Sequence, residues 1–471
     1  MYVKILKKLA CGLMTFGLVA NVQAATQPLV THKNNEVVKI GRPSSLTGSA
    51  HLHKTEKSPH HKEWKLSSTG GLSYIHPNDA RYWFELSGVI RLDETLFMSN
   101  YRNKKSDFAN GGNIRAIETY FEGGVGEFLA YTLTLRFNGN TVLLGDTWVS
   151  YAGFLDNNQV FVGRVPGNWF GLDNSNSTSW NPFLERSLPS LAFYPGDGLG
   201  IMTDFWWENG AITLSAMQAD IKTALNVADP SLNYNANGND VFVGLRDRWK
   251  GTLRLTVSPL HDEGDVWHFG ISGGYREVIS TINGMAVNNI VGFSAYPAAR
   301  VRNTTSLLNT TYTNVANQNV SIRANNVRLF NVEAARQIGP FMLEGEYTNV
   351  FVHSVGNRLG TLRFDGWNIQ TRYLLTGESH AYNVRDGNFG SINPVASYGA
   401  LELAARYDFI QLNDKNIRGG SEHNVTVGLN WFINKTVRLS ANYIRASIHP
   451  ANDAQKRNLD ILGMRLQVRF K

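Results

Sequence analysis

The spacing of hydrophobic and polar positions along this chain changes twice. Residues 9–20 are an almost unbroken apolar stretch behind Lys4, Lys7 and Lys8, and residues 25–69 are polar with no sustained period. From about Tyr82 apolar and polar residues alternate one for one, the pattern of a strand whose two faces meet different surroundings. Phe84, Leu86, Ile90 and Leu92 alternate with Glu85, Ser87, Arg91 and Asp93. Tyr131, Leu133, Leu135 and Phe137 alternate with Thr132, Thr134 and Arg136. Val425, Val427, Leu429 and Trp431 lead through Ile433-Asn434-Lys435 to Val437, Leu439, Ala441 and Tyr443. The chain closes on Leu462, Met464, Leu466, Val468 and Phe470, interleaved with Gly463, Arg465, Gln467 and Arg469.

The connections between these runs alternate in length. Short ones are expected near Gly123-Gly124, Asp156-Asn157-Asn158, Glu208-Asn209-Gly210, Gly339-Pro340 and Asn434. Long polar ones lie between them, notably residues 164–198 and the Asn/Thr-rich residues 300–326. Short turns at one end and long loops at the other are the habit of bacterial outer-membrane barrels, and counting back from Phe470 gives about sixteen strands. The predicted fold is therefore all-β, a transmembrane antiparallel β-barrel over residues 71–471. Closure has a physical cause: in hydrocarbon every backbone N–H and C=O needs a partner, so a spanning sheet has no free edge. Trp83, Tyr131, Trp148, Trp206, Trp431 and Tyr443 are candidates for the interfacial aromatic girdles. A large soluble β-sandwich array is the main alternative.

The polar phase of each clear strand names a candidate lumen. Arg91, Arg136, Arg254, Arg372, Arg406, Arg438, Arg465 and Arg469 fall on it, with Glu85, Asp93, Glu344, Glu346, Glu402 and Asp408. Eight guanidiniums against six carboxylates predict a mild preference for anions. Two arrangements stay open: an arginine ladder along the channel, or opposite charges paired across strands.

Composition adjusts this picture. Of 471 residues only 18% are charged, below the roughly 25% of soluble domains, while 42% are hydrophobic and 44 are glycine. Disorder throughout is thereby excluded. So is a helical membrane protein, because beyond the N-terminus no run approaches about 20 apolar residues. Residues 1–24 read as an export signal, with Val22-Gln23-Ala24 as the cleavage site. Their removal takes three of the 45 basic residues, none of the 38 acidic ones and the single cysteine, Cys11, so the formal charge of +7 becomes +4. Residues 25–70 are expected to be a polar periplasmic leader. His51, His53, His60 and His61 lie there beside Lys54, Lys57 and Lys62; imidazoles are common metal ligands, but no carboxylate or cysteine shows ligand spacing, so a solvated leader with neither metal nor cofactor is the expectation.

Two stretches carry a family resemblance. One is Phe161-Val162-Gly163-Arg164 through Phe170-Gly171-Leu172, then Phe183-Leu184-Glu185-Arg186-Ser187-Leu188-Pro189 and Ala192-Phe193. The other runs from Tyr373-Leu374-Leu375-Thr376-Gly377-Glu378 through Gly399-Ala400-Leu401-Glu402-Leu403-Ala404-Ala405-Arg406-Tyr407-Asp408. It continues in Gly428-Leu429-Asn430-Trp431-Phe432 and Ala441-Asn442-Tyr443-Ile444, ending at Arg465-Leu466-Gln467. Together they resemble the phosphate-selective porin O and P family of Gram-negative outer membranes, over roughly residues 82–470. The resemblance implies a sixteen-stranded, homotrimeric barrel in outer-membrane lipid, with a third loop folded inward as the constriction. It also implies small anions or phosphate as permeants, held by arginines and by lysines at the narrowest point.

On that resemblance the constriction loop is residues 164–198, and its candidate residues are Arg164, Asp173, Asn174, Trp180, Glu185 and Arg186. Asn174 stands where phosphate-selective members carry a lysine, and Asn174→Lys is expected to increase phosphate block. Arg186 matches a family arginine; it either tunes the passing ion's potential or staples the loop through Glu185 or Asp173. Arg115-Ala116-Ile117-Glu118 replaces the family's clustered arginines, and Lys471 follows Phe470 at the end of the chain.

Other functions have less behind them. His353-Ser354 faintly resembles the nucleophile pattern of an outer-membrane phospholipase, but adjacent strand residues point to opposite faces; no enzyme is expected. No phosphate loop follows a strand, and no basic-aromatic motif suggests nucleic acid. The alternative to a channel is an adhesin whose long loops, such as residues 301–326, make surface contacts.

Overall fold

The computed structural model describes residues 65–66, 71–76, 79–98, 108, 110–138, 141–167, 169–218 and 249–471, except 279, 283–284, 288–289, 300–305, 314–315, 317 and 356–359. The proposed export signal and nearly all of the leader lie outside the described residues.

Sixteen antiparallel strands follow one another around the sheet: β1 Trp83–Phe97, β2 Gly111–Val125, β3 Leu129–Asn138, β4 Thr141–Tyr151, β5 Asn158–Val165, β6 Gly198–Trp207, β7 Gly210–Gln218 and β8 Trp249–Asp262. The second half comprises β9 Asp265–Glu277, β10 Ile322–Ile338, β11 Phe341–Ser354, β12 Thr361–Leu374, β13 Ala400–Asp414, β14 Ile417–Phe432, β15 Val437–His449 and β16 Arg457–Phe470. Each pairs with the next, and β16 pairs with β1 in a register that sets Arg465 opposite Asp93 and Gln467 opposite Arg91. The sheet is therefore closed, and the barrel expectation holds. Ahead of β1, Leu72–Ile75 adds a short strand against its first residues.

Alternation survives in three dimensions because each strand has two environments. On β8, Lys250, Thr252, Arg254 and Thr256 are buried inside, while Leu253, Leu255 and Val257 are exposed on the outer face. Among the described residues no helix is long and apolar enough to cross a membrane, so any crossing is made by these strands.

Three details differ from the sequence reading. Gly123 and Gly124 are not a turn but lie within β2; a Cβ at either would strike the ring of Tyr131 or Trp83. The glycines leave space for aromatics on neighbouring strands. Trp148 and Trp206 are not girdle residues. Trp148 is buried inside against Phe161, ring centroids 5.0 Å apart, and Trp206 lies under the Arg385 guanidinium at 4.2 Å. Trp148 packs against an apolar cluster that includes Trp169 of the loop, and Trp206 against a loop guanidinium, so an inward tryptophan need not face water.

The third difference is at the end of the barrel that holds the short turns, which include residues 208–209, 263–264 and 339–340. There, residues 375–399 form a long connection that folds back inside. Arg254 donates to the carbonyls of Asp386 and Gly387 at 2.8 and 2.7 Å. Asn388 and Phe389 reach the 166–197 loop through Ser175 and Asn176.

The core lies within the barrel. From the long-loop end, the 166–197 loop and residues 291–299 and 306–308 enter the lumen, and Phe170, Leu188, Phe193, Phe293 and Leu308 meet an apolar wall. That wall is the inward phase of β10–β16: Leu329, Val350, Phe364, Ile410, Ile444 and Ile461. Each large side chain sealed there contributes about 1.5–3 kcal/mol.

Candidate functional site: an arginine-lined cavity beside the inward loop

The 166–197 loop leaves β5 and returns at β6. Its first helical turn, α1 Leu172–Ser175, is entered through Gly171 at φ +84, where a Cβ would meet the Glu346 carboxylate. Asp173 anchors the loop to itself: its carboxylate accepts from the Ser187 amide and hydroxyl at 2.8 and 2.9 Å. Ser187 caps the second turn, α2 Leu188–Ala192. The wall supplies the remaining anchors. Asn442 accepts from the Leu184 amide at 2.7 Å, Asn430 donates to Pro182 at 2.9 Å, and Arg438 donates to Asn181 at 3.0 Å. Arg406 donates to the Glu185 carbonyl at 3.0 Å, with its guanidinium 4.5 Å from the Phe183 ring. Lys250 donates to the carbonyls of Pro195, Gly196 and Asp197.

These anchors, on β8 and β13–β15, hold the loop to that side and leave a cavity of about 430 Å³ on the other. Its walls are β1–β4, the end of β16 and the free edge of the loop. Arg91, Arg115, Arg136, Arg186 and Arg465 line it, with Glu118, Asp146, Glu185 and Asp197. Most of these charges are paired. Arg465 holds Asp93 with two 2.7 Å hydrogen bonds, and Arg115 holds Glu185 with bonds of 2.7 and 3.0 Å. Arg136 lies 3.4 Å from Glu118 and 3.8 Å from both Asp146 and Asp197, while Arg164 reaches Asp197 at 2.9 Å. Tyr194 also donates to Asp197. Burial alone would raise the Asp197 pKa, but Arg164, Arg136 and the Tyr194 hydroxyl outweigh it and hold the carboxyl below its usual range. Arg186 is different. It donates to the carbonyls of Asn174 and Asn176 at 2.8 and 3.0 Å, and no ion pair among the described residues includes it. It staples the loop by capping the end of α1, not through Glu185 or Asp173.

The candidate constriction residues therefore separate. Glu185 and Arg186 face the cavity, and Arg164 stands behind it on Asp197. Asp173, Asn174 and Trp180 are buried within the loop's contacts and lie off the cavity lining. Of the candidate lumen arginines, Arg91, Arg136 and Arg465 line the cavity. Arg254, Arg372, Arg406 and Arg438 face inward as their phase requires, but inward-folded chain covers them. Arg254 pairs with Glu333, Arg372 with Glu344 and Arg406 with Asp408, so the paired arrangement prevails over a ladder there. Arg469 stacks on Trp180 at 4.2 Å.

Sequence reasoning missed Arg115, Glu118, Asp146, Tyr194 and Asp197. Glu118 shares a phase with Glu122 and was open to assignment. Arg115 was not, because it is out of phase with the inward residues of β2. Arg91 pairs with Ala116 and Leu92 with Ile114, so Arg115 is the extra residue of a β-bulge, a device that re-aims a side chain. A second bulge, opposite Thr134, places Gly145 and Asp146 against one residue of β3.

A closed sixteen-stranded barrel with a loop folded across its lumen admits comparison with known proteins. The model of the family described as phosphate-selective porin O and P matches residues 84–470. The chain belongs to that family. It is an outer-membrane porin of the Gram-negative type, a channel enclosed by a β-barrel wall. Porin O of Pseudomonas aeruginosa is 24% identical to this porin over 399 residues, covering 81% of this chain and 86% of that one. An uncharacterised protein of Caulobacter vibrioides is 25% identical over 374 residues, covering 76% and 68%. Among solved structures, OmpT of Vibrio cholerae overlays with a TM-score of 0.48 at 12% identity, covering 87% of this porin and all of that chain. The anion-selective porin from Comamonas acidovorans overlays at 0.45 with 9% identity, covering 82% and 99%.

Proposed function

We propose that this porin passes small hydrophilic solutes by diffusion along the β1–β4 side of its lumen, with a mild preference for anions. The observation that carries the reading is the charge around the cavity: five guanidiniums and four carboxylates, with Arg186 outside every described ion pair. A one-charge excess in a confined space raises the local anion concentration modestly. It does not make a high-affinity phosphate site, because bidentate faces suited to phosphate are taken by carboxylates at Arg115 and Arg465. Glu185, Arg186, Arg91, Arg136 and Arg465 are the residues assigned to the passage.

The adhesin reading loses support where Leu308, within residues 301–326, packs into the buried core. His353 and Ser354 make separate contacts, with Thr361 and with the Gly360 carbonyl, and the porin is read as non-enzymatic. A homotrimer is the assembly proposed, and its heat-sensitive migration in detergent electrophoresis tests it. Planar-bilayer recording tests the function. Unit conductance steps are expected, with a zero-current potential of anionic sign in a KCl gradient. A silent trimer would remove the channel, and a cationic sign would remove the selectivity.

A further inference from the structure

Charge is scarce on the outer face of the barrel, and where it occurs it is often paired. The outward residues of β6 and β7 carry none, and on later strands Arg336 pairs with Asp265 and Arg445 with Asp460. Arg328 on β10 and Arg363 on β12 differ. Each lies directly opposite Phe351 of β11, so the three share the outer face in one cross-strand row, with about 10 Å between the two arginine backbones. Among the described residues neither guanidinium is in an ion pair. Arg363 donates to the Tyr347 hydroxyl at 3.1 Å, and Arg328 has no hydrogen bond. Asp365 follows on the same face of β12 without forming an ion pair. Arg328 lies ten residues along β10 from Ile338 at the short-turn end. At about 3.4 Å per residue and a tilt near 40°, that is about 26 Å of height, the thickness of the apolar band. Both arginines therefore stand at the outer edge of that band, toward the long loops, where the headgroups of the outer leaflet begin.

We propose that Arg328 and Arg363 hold the phosphorylated sugar headgroup of an outer-leaflet glycolipid against the outside of the barrel. A guanidinium facing lipid is costly near the bilayer centre and nearly free at its edge, so height alone permits the two side chains. Height does not supply their counter-charge, which has to come from outside this stretch of wall. A phosphate ester offers paired oxygens that match each guanidinium fork. Phe351, 37% exposed between the two cations, gives the sugar an apolar face to rest on, and Phe330 and Trp367, also exposed, lie lower on the same face for the acyl chains. Charge selects an anion, outward register places it in lipid, and height assigns it to a headgroup. The site is on the opposite side of the wall from the passage, so it acts on how the barrel sits in its membrane and not on the solute.

The test titrates the full-length porin, stripped of lipid in detergent, with rough-type lipopolysaccharide and measures the lipid retained through gel filtration. Saturable binding is expected. Arg328→Gln should weaken it about fivefold, and Arg328→Gln combined with Arg363→Gln on the order of thirtyfold. The same lipid with its phosphates removed should bind the wild type no better than the intact lipid binds the double variant. The zero-current potential in a KCl gradient should stay at the wild-type value, because both side chains lie outside the lumen. Equal binding by wild type and double variant overturns the proposal, and so does equal binding of the intact and dephosphorylated lipids. Phosphatidylglycerol held as tightly as the lipopolysaccharide would replace the glycolipid with any anionic lipid. A double variant that folds but loses its oligomer would make the row a contact between copies of this chain, and a shifted potential would put the arginines in the lumen; either result overturns the assignment. If the double variant does not fold, Arg328→Gln, which breaks no described contact, decides alone.

Discussion

The inward faces of β10–β16 and of β1–β4 belong to one closed sheet, yet they meet opposite surroundings. Toward the long-loop end, β10–β16 present Val350, Phe364, Ile410, Ile444 and Ile461 to the packed 166–197 loop and to Phe293, Ala295 and Leu308. The β1–β4 face presents Arg91, Arg115, Glu118, Arg136 and Asp146 to an open cavity. One sector is filled like the core of a soluble domain, and the other keeps charges beside space for solute. The comparison teaches that facing the lumen and facing the passage are separate properties. Arg372 and Arg406 face inward, but the loop covers them.

The largest effect expected in breaking this comparison is from Asn174→Lys. Asn174 is buried, its amide donating to the Phe170 carbonyl at 3.1 Å. An ammonium there has no carboxylate in the described contacts and costs several kcal/mol of desolvation. The earlier expectation of stronger phosphate block is replaced: the variant should unseat the loop, giving larger, noisier conductance steps and a lower unfolding midpoint in detergent. An ordinary conductance with stronger phosphate block would return Asn174 to the passage.

Next comes Phe364→Ala in the filled sector. It removes a fully buried ring and is expected to cost about 3–5 kcal/mol, read as a lower unfolding midpoint in detergent. Unit conductance and zero-current potential should stay close to wild type, because the packed sector is not the passage. A changed selectivity would dissolve the distinction between the sectors.

Arg186→Ala probes the open sector with a smaller stability change. Losing two charge-assisted bonds to carbonyls is expected to cost about 1.5–3 kcal/mol, while the anion preference falls to near neutrality in a KCl gradient. An unchanged potential would show that the excess charge lies elsewhere.

The smallest effect concerns acid. Asp197, whose carboxyl is held below its usual range, contributes stability that is present above the unfolded-state pKa, near the ordinary 3.8, and lost as pH falls through the lower folded value. Conductance noise from this anchor should therefore be flat from neutral pH down to the ordinary aspartate range and rise only below it. A rise near pH 6 would place the responsible group elsewhere.

Much of the barrel was legible because a two-residue period on a membrane sheet has few solutions. The alternation at Phe84–Asp93 and Leu462–Arg469 gave strand identity, and closure followed from the need to pair every backbone group. Inward phase was legible for the same reason: Arg254, Arg372, Arg406 and Arg438 do face the lumen. The passage was less legible. Bulges at Arg115 and at Gly145-Asp146 change parity locally, so one extra residue reverses every assignment drawn by counting. Trp148 was misread on the assumption that everything inside the barrel meets water.

The sequence by itself determined the closed antiparallel wall and its strand number, because these depend on local alternation. Only the tertiary structure decided where along that wall the solute space lies. Among the described residues, the space is what remains after residues 166–197, 291–299, 306–308 and 375–399 fold inward. That remainder depends on contacts between segments far apart in the chain, such as Asn442 with Leu184 and Arg115 with Glu185, which no local period encodes.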